Sequence, residues 1–148
     1  MVGGVHILVA EDEDLVAMAL AEVLEAEGFR VTVTHNGQKA IDTDVLDPAD
    51  LLVTDMRMPI IGGKALIETL RAKRPNLPVI VMTGYSEDLP NDEPGRLVVL
   101  RKPFSMSTLV RHAVAFLHCP QRPTQEIVDK KKAAAKKARP LVLVREET

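Results

Sequence analysis

The segment from residue 51 to 59, LLVTDMRMP, constrains the fold more than any other part of the chain. Its opening apolar run is too short for a helix, and its branched residues are typical of a buried strand. A strand buried on both faces usually belongs to a parallel sheet covered by helices. Ligands bind outside the carboxyl ends of the strands in such sheets. Asp55, which ends the run, is therefore predicted to lie at a functional edge.

Four other short segments have the character of strands, namely residues 5–10, 29–34, 79–82 and 97–100. Helices are predicted between and after them at residues 15–27, 38–46, 64–73 and from 105 or 107 to 118. The acidic segment between the last two strands contains two prolines, which predicts a shortened or irregular fourth helix. Strands that alternate with helices through short loops predict a doubly wound α/β fold. Right-handed crossovers favour a flavodoxin-like, five-stranded parallel sheet with the order 2-1-3-4-5.

The first and third helices have apolar positions at helical spacing, which predicts the faces that they bury. Asp14 is predicted to cap the first helix, and Gly28 to end it. Its predicted buried stripe is Leu15, Met18, Ala19, Val23 and Leu24. In the third helix the predicted inward positions are Ala65, Leu66 and Leu70.

Composition and charge divide the chain into a body and a tail. With 148 residues, 46% of them hydrophobic, the chain has the length and core of one domain. Residues 1–119 carry 11 basic and 17 acidic side chains, whereas residues 120–148 carry 8 basic and 4 acidic ones. We expect residues 1–119 to form the domain and residues 120–148 to be a basic tail, partly helical or disordered. The tail alone is weak support for nucleic-acid binding.

The sequence contains no apolar run near the roughly 20 residues that a membrane span requires. The N-terminus also lacks the basic region of a signal peptide. Cys119 is the single cysteine and cannot form an internal disulfide. These features favour a cytoplasmic protein without membrane partners.

The strand order predicts one cluster of chemically active side chains. The ends of strands one and three bring Glu11, Asp12 and Asp55 together, and strands four and five deliver Thr83 and Lys102. Neighbouring carboxylates repel one another unless a cation compensates. An all-oxygen site of this kind suits Mg²⁺ together with a phosphate. Asp55 is then a candidate nucleophile toward phosphorus, and Thr83 and Lys102 are candidate donors to the phosphoryl oxygens.

The chain resembles the receiver domains of bacterial two-component response regulators from about residue 5 to residue 118. The motifs are ILVAED, LLVTDMRMP with Gly63, VIVMTG and LRKPF, each at a predicted strand end. The resemblance implies that Asp55 is the phosphoacceptor for a histidine kinase or a histidine phosphotransfer protein. It implies that Glu11, Asp12, Asp55 and the backbone carbonyl of Arg57 bind Mg²⁺. Thr83 and Lys102 would carry the signal, and the Lys102–Pro103 peptide bond would be cis.

The sequence departs from the common receiver pattern near its fourth and fifth strands. Val99 stands where many receivers have a tyrosine or phenylalanine that acts as a switch. The number of positions between Thr83 and Lys102 is also smaller than in most receiver domains. The run MTGYS resembles a subgroup of receivers with TGY after the fourth strand and a reduced fourth helix. In that case Tyr85 is a candidate replacement for the switch aromatic.

These features favour a single-domain response regulator that acts through a phosphorylation-controlled interaction surface, with a homodimer as one form. It would not be an enzyme beyond its own phosphorylation and dephosphorylation. One alternative is a receiver excised from a hybrid histidine kinase, and another is a partner-binding module independent of phosphorylation. A phosphatase with an aspartyl nucleophile requires a second acid two residues later, where this chain has Arg57. The four histidines show no metal-ligand spacing, and no nucleotide-binding glycine motif is present.

Overall fold

A computed structural model of the chain describes residues 4–84 and 89–118. These residues form a parallel sheet of five strands in the order β2-β1-β3-β4-β5. The strands are β1 (His6–Ala10), β2 (Arg30–Thr34), β3 (Leu51–Asp55), β4 (Val79–Thr83) and β5 (Leu97–Arg101). The helices of the described residues are α1 (Asp14–Glu25), α2 (Gly37–Leu46), α3 (Gly63–Lys73) and α4 (Met106–His118). The predicted fold class and strand order are confirmed, and the element ends shift by one or two residues.

Helices cover both faces of the sheet, which is why the central strands are apolar throughout. Every residue of β1, β3 and β4 is buried. On one face, Leu20 and Leu24 of α1 pack in a cluster with Leu109 and Ala113 of α4. On the other face, the cluster contains Ala40 of α2 and Leu66, Ile67 and Leu70 of α3. The chemically active residues are thereby left to the strand ends.

The predicted apolar stripe of α1 is wrong in part. Leu15 is 82% exposed and Met18 is 66% exposed, whereas Ala17, Leu20 and Leu24 are buried. The helix DLVAMALAEVLE is apolar at so many positions that two overlapping stripes have helical spacing, and only packing selects between them. The N-cap residue is Glu13 rather than Asp14, and the helix ends at Glu25, three residues before Gly28.

The third helix corrects one further prediction. Leu66 and Leu70 are buried as expected, but Ala65 is exposed and Ile67 is buried in its place. An alanine fits either environment at little cost, so its position in the apolar pattern predicts little. Gly63, at the start of this helix, lies against the backbone of Asp55 so closely that a Cβ would collide with it. This glycine lets α3 begin directly beside the end of β3.

The connection from β4 to β5 contains no helix in its described part, residues 84 and 89–96. Glu93 forms an antiparallel bridge with Leu97, and the Asp92 side chain accepts a hydrogen bond of 3.0 Å from the Val99 backbone N–H. The guanidinium of Arg71 in α3 donates to the Glu93 carboxylate at 2.9 Å. The turn therefore covers the outer edge of β5 and is tied to α3, in agreement with the prediction of a reduced fourth helix.

Some predictions fall on residues 85–88 and 119–148, which lie outside the described residues. They include the role of Tyr85, the state of Cys119 and the character of the basic tail. The division into a domain of residues 1–119 and a tail also stays a prediction. Within the described ranges, none of the helices is long and apolar enough to span a membrane.

Candidate functional site

Neighbouring strands bring three carboxylates together at the carboxyl edge of the sheet. β1 and β3 pair in parallel with Ala10 opposite Thr54, so the next residues, Glu11 and Asp55, are also adjacent. Glu11, Asp12 and Asp55 each place a carboxylate oxygen within 4.8 Å of the others. The grouping predicted from the strand order is therefore present in the structure.

Glu11 is the most constrained of the three acids. Its side chain is fully buried, and Oε2 accepts a hydrogen bond of 3.1 Å from the Glu13 backbone N–H. The other oxygen, Oε1, is buried without a hydrogen-bond partner. Burial raises the pKa of this carboxyl above its ordinary value, the Glu13 hydrogen bond opposes that shift, and the charge of Asp55 raises the pKa further. A buried carboxylate oxygen that accepts no hydrogen bond indicates that the site is built to receive a positive charge.

Lys102 supplies one positive charge to this cluster from the end of β5. Its Nζ donates a hydrogen bond of 3.2 Å to Asp55 Oδ2 and lies 3.5 Å from Glu11 Oε1. Burial lowers the pKa of the ammonium, but the hydrogen bond and charge of Asp55, with the charge of Glu11, outweigh burial and raise it. Lys102 therefore stays protonated at neutral pH. The backbone N–H of Lys102 donates to the Thr83 carbonyl at 2.7 Å, which ties the ends of β4 and β5 together.

The remaining predicted site residues lie on the same edge. Asp55 and Thr83 are buried, at 8% and 1% exposure, and Thr83 is the last residue of β4. The Arg57 backbone N–H approaches Asp55 Oδ1 at 3.5 Å, so the chain turns closely around the Asp55 carboxylate. The Lys102–Pro103 peptide bond is cis, as predicted. Val99 lies on β5, three residues before Lys102.

The charges of the cluster fit a divalent cation. Three carboxylates face the single charge of Lys102, which leaves an excess of negative charge in a partly buried place. Oxygen ligands from carboxylates are those that Mg²⁺ takes in proteins, usually with several waters and a phosphate. Glu11, Asp12 and Asp55 are the residues that would hold it. The orphaned Glu11 Oε1 is the observation that supports this fit.

Two side-chain arrangements in the structure were not predicted from the sequence. His35, directly after β2, places its Nδ1 3.0 Å from the Glu11 backbone carbonyl. Asp44 of α2 forms a buried ion pair with Arg74, with a nitrogen–oxygen distance of 2.5 Å. The position of His35 at a strand end was the available signal for the first. The Asp44–Arg74 pair spans 30 positions between two helices, and nothing in the sequence pairs those two residues.

An open recess of about 700 Å³ lies beside the acidic edge, along the outer side of α1. Its lining combines the exposed apolar side chains of Leu15 and Met18 with the acids Asp14 and Glu22 and with His35 of the β2 end. Asp14 is two residues from Asp12, so the recess begins next to the carboxylate cluster. Leu15 and Met18 are 82% and 66% exposed, so the recess presents apolar surface next to the polar edge.

Comparison with known proteins identifies the sequence pattern. Residues 7–114 match the family model of the response regulator receiver domain. The transcriptional regulatory protein PdtaR of Mycobacterium tuberculosis is 36% identical over 109 residues, which cover 71% of this chain and 53% of PdtaR. The sensor kinase CckA of Brucella abortus is 32% identical over 114 residues, which cover 72% of this chain and 12% of the kinase. The chain thus spans about half the length, or less, of these relatives.

The fold comparison agrees with the sequence comparison. A response regulator receiver protein from Sinorhizobium medicae superposes with a TM-score of 0.70 at 26% identity. The match covers 80% of this chain and 98% of that structure. The described strands, helices and strand order are therefore those of a known receiver structure over nearly its whole length.

Proposed function

Since the chain belongs to the response regulator receiver family of two-component signalling, we propose that Asp55 accepts a phosphoryl group from a histidine kinase or a histidine phosphotransfer protein. An Asp55 oxygen attacks phosphorus, the bond from phosphorus to the donor histidine nitrogen breaks, and that nitrogen keeps the electron pair. The phosphorylated state then changes the surface that the chain presents to a partner. We place this reaction in the cytoplasm.

One observation carries the proposal more than any other. Asp55, the proposed nucleophile, is hydrogen-bonded to a protonated Lys102 and shares a cluster with the Glu11 and Asp12 carboxylates, with oxygens within 4.8 Å of one another. Phosphoryl transfer depends mainly on positioning and on neutralising charge at the phosphoryl oxygens. Lys102 is in place to donate to one of those oxygens, and we propose that the Thr83 hydroxyl donates to another.

We further propose that Glu11, Asp12, Asp55 and the backbone carbonyl of Arg57 hold Mg²⁺. The cation would neutralise the acids and the incoming phosphoryl oxygens. The chain's own residues perform the remaining tasks. The Glu13 backbone N–H holds the Glu11 Oε2 oxygen at 3.1 Å and so fixes the orientation of this carboxylate. The Thr83 carbonyl fixes the backbone of Lys102, whose ammonium donates to Asp55 Oδ2 at 3.2 Å.

Mass spectrometry of the intact chain tests this proposal. Purified protein is incubated with Mg²⁺ and a small phosphodonor such as acetyl phosphate or phosphoramidate, and the Asp55→Asn variant is treated in parallel. We expect the wild-type mass to rise by one phosphoryl group, only when Mg²⁺ is present, and the variant mass to stay constant. An unchanged wild-type mass, or an equal gain by Asp55→Asn, would contradict the proposal.

The recess on α1 supports a protein as the natural phosphodonor. A donor protein must bring its histidine to the acidic edge, where Leu15 and Met18 expose apolar surface close by. We propose that the donor packs against this recess during transfer. The partner that recognises the phosphorylated state is a separate protein. We propose that it contacts the segment between β4 and β5, where this chain differs from the common receiver pattern.

A second setting for the same reaction is a receiver within a longer sensor kinase. The likeness to CckA supports it, because the match there covers only 12% of a sensor kinase. The phosphoacceptor chemistry is the same in both settings. The length of the complete gene distinguishes a free-standing receiver from a kinase-attached one. Partner binding that persists undiminished in Asp55→Asn would favour the remaining alternative, a module that works without phosphorylation.

A further inference from the structure

His35, at the end of β2, contacts the acidic edge of the sheet but has no role in the proposed phosphoryl transfer. The last register pair of β1 and β2 places Ala10 opposite Thr34, so His35 follows beside Glu11. The imidazole Nδ1 lies 3.0 Å from the Glu11 backbone carbonyl oxygen. A carbonyl oxygen only accepts hydrogen bonds, so Nδ1 carries the hydrogen, whether the ring is neutral or charged.

Every polar atom of Glu11 but one is held by a neighbour. The backbone N–H of Glu11 donates to the Thr34 carbonyl at 3.0 Å, and its backbone carbonyl accepts from His35. Its Oε2 accepts from the Glu13 backbone N–H. The exception is Oε1, the buried oxygen without a hydrogen-bond partner. The end of β2 thus fixes both backbone groups of Glu11, whose Oε1 accepts no hydrogen bond and belongs to the proposed cation site.

The hydrogen bond from His35 acts on two acidic residues at once. The Glu11 carbonyl belongs to the peptide unit that joins Glu11 to Asp12, and this unit is planar and stiff. Its orientation sets where the chain leaves β1 and how both side chains are presented. The backbone directly after His35 is fixed, because the Asn36 side chain caps α2 by accepting from the Lys39 backbone N–H at 2.9 Å. Thr34 is held too, since its hydroxyl donates to the Val9 carbonyl at 2.9 Å.

We propose that His35 is a positioning residue for the cation site, which it supports by orienting the Glu11–Asp12 peptide. The inference rests on the proposed Mg²⁺ site and adds a residue to it. The alternative role for His35 is an ion pair with Asp14, whose Oδ1 lies 3.5 Å from the same Nδ1. That distance is longer, and Asp14 is largely exposed, so the pair contributes little. Neighbours that orient metal ligands typically change metal affinity by about 10–100-fold when they are removed.

Isothermal titration calorimetry with Mg²⁺ on the full chain separates the two roles. We expect His35→Ala to weaken Mg²⁺ binding by about tenfold. His35→Asn should stay within about threefold of wild type, because the asparagine amide nitrogen takes nearly the place of Nδ1 and donates the same hydrogen bond. Asp14→Asn should bind Mg²⁺ as the wild type does. Equal affinity in His35→Ala and wild type, or an equal loss in His35→Asn and His35→Ala, would overturn the inference.

A kinetic readout distinguishes positioning from general stability. With acetyl phosphate as donor, His35→Ala should need more Mg²⁺ for half-maximal phosphorylation but reach the wild-type rate at saturating Mg²⁺. A purely structural role would lower the thermal unfolding temperature in EDTA and leave the Mg²⁺ dissociation constant unchanged, which would also overturn the inference. The Asp12→Asn variant tests the proposed cation site separately from the role of His35. If the wild type and Asp12→Asn bind Mg²⁺ equally, or the wild type does not bind it, the cation site itself fails and the role of His35 fails with it.

Discussion

Lys102 Nζ lies 3.2 Å from Asp55 Oδ2, at the point where the ends of β3 and β5 face each other across β4. The same ammonium is 3.5 Å from the buried Glu11 Oε1, so a single cation lies against two acids. The Lys102 charge offsets part of the repulsion between these carboxylates, and the cluster keeps an excess of negative charge. Both properties can be measured.

Removing the Lys102 charge should destabilise the metal-free protein. In Lys102→Met, two largely buried carboxylates lose their counter-charge, and we expect the free energy of unfolding to fall by about 3 kcal/mol. Urea denaturation in EDTA measures the change, and added Mg²⁺ should recover part of it. Lys39→Met, at an exposed position of α2, is the matched control and should stay within about 0.5 kcal/mol of wild type. Equal stability of Lys102→Met and wild type in EDTA would contradict a charge-balancing role for Lys102.

Neutralising Glu11 should have the opposite effect on the metal-free protein. Burial raises the pKa of Glu11 above its ordinary value of 4.5, so its charge at neutral pH opposes folding. In Glu11→Gln we expect the free energy of unfolding in EDTA to rise by about 1 kcal/mol at neutral pH. Stabilisation by Mg²⁺ should be lost in the same variant.

The pH dependence of this difference has a defined sign. As pH falls through the raised pKa of Glu11 toward 4.5, the folded wild type takes up a proton that the unfolded chain does not yet hold. The penalty then disappears, so the advantage of Glu11→Gln should shrink as pH falls. Denaturation curves of both proteins at several pH values measure it. An advantage that grows toward acidic pH would contradict the raised pKa of the buried Glu11 carboxyl.

If the phosphodonor protein binds the recess on α1, changing the recess should slow transfer from a protein donor but not from a small phosphodonor. Leu15→Asn and Met18→Asn remove apolar surface that is already exposed, so stability should change by less than about 0.5 kcal/mol. We expect phosphorylation by acetyl phosphate to be unaffected. Transfer from a histidine kinase or phosphotransfer protein that phosphorylates the wild type should slow by about tenfold, as loss of an apolar anchor does in other interfaces.

The control for the recess is Leu46→Asn, which changes an exposed leucine at the far end of α2. Transfer rates measured side by side should be normal in this control. A donor that phosphorylates Leu15→Asn and Met18→Asn at the wild-type rate would show that it binds elsewhere.

The ion pair between the buried Asp44 of α2 and Arg74, directly after α3, should matter for stability alone. Asp44 is 4% exposed, accepts both from the Arg74 guanidinium and from the Ala49 backbone N–H, and has no direct contact with the acidic cluster. We expect Asp44→Ala to lower the free energy of unfolding by about 3 kcal/mol, because Arg74 and the Ala49 N–H lose their partner. Asp42→Ala, exposed on the same helix, is the matched control and should cost much less. A normal Mg²⁺ affinity in folded Asp44→Ala would confirm that the pair is only structural.

Strand positions were predictable because they depend on composition along short runs. LLVTD and its neighbours are apolar at nearly every position, so their burial in a parallel sheet follows from the sequence. The meeting of Glu11, Asp12 and Asp55 also follows, because parallel strands end at a common edge. The helix faces were harder. Leu15 and Met18 lie outside because α1 has two overlapping apolar stripes, and the choice between them is made by packing against the sheet.

Long-range side-chain pairs were not predictable from the sequence. The Asp44–Arg74 pair and the bond from Arg71 to Glu93 depend on how α2 and the β4–β5 connection pack against the C-terminal end of α3. The hydrogen bond from His35 to the Glu11 carbonyl depends on the register of β1 and β2, which the alternating pattern of residues 29–34 leaves open. The likeness to the TGY subgroup stays a prediction, because Tyr85 lies outside the described residues.

Chemical trapping of the phosphorylated residue tests the central claim most directly. Borohydride reduces an aspartyl phosphate to homoserine, which peptide mass spectrometry locates within the sequence. After treatment with Mg²⁺ and a small phosphodonor, we predict homoserine at position 55 and at no other acidic residue of the chain. Homoserine at Asp12 or another aspartate, the corresponding five-carbon alcohol at Glu11 or another glutamate, or a phosphorylated chain without homoserine at position 55, would contradict the assignment of Asp55 as the phosphoacceptor.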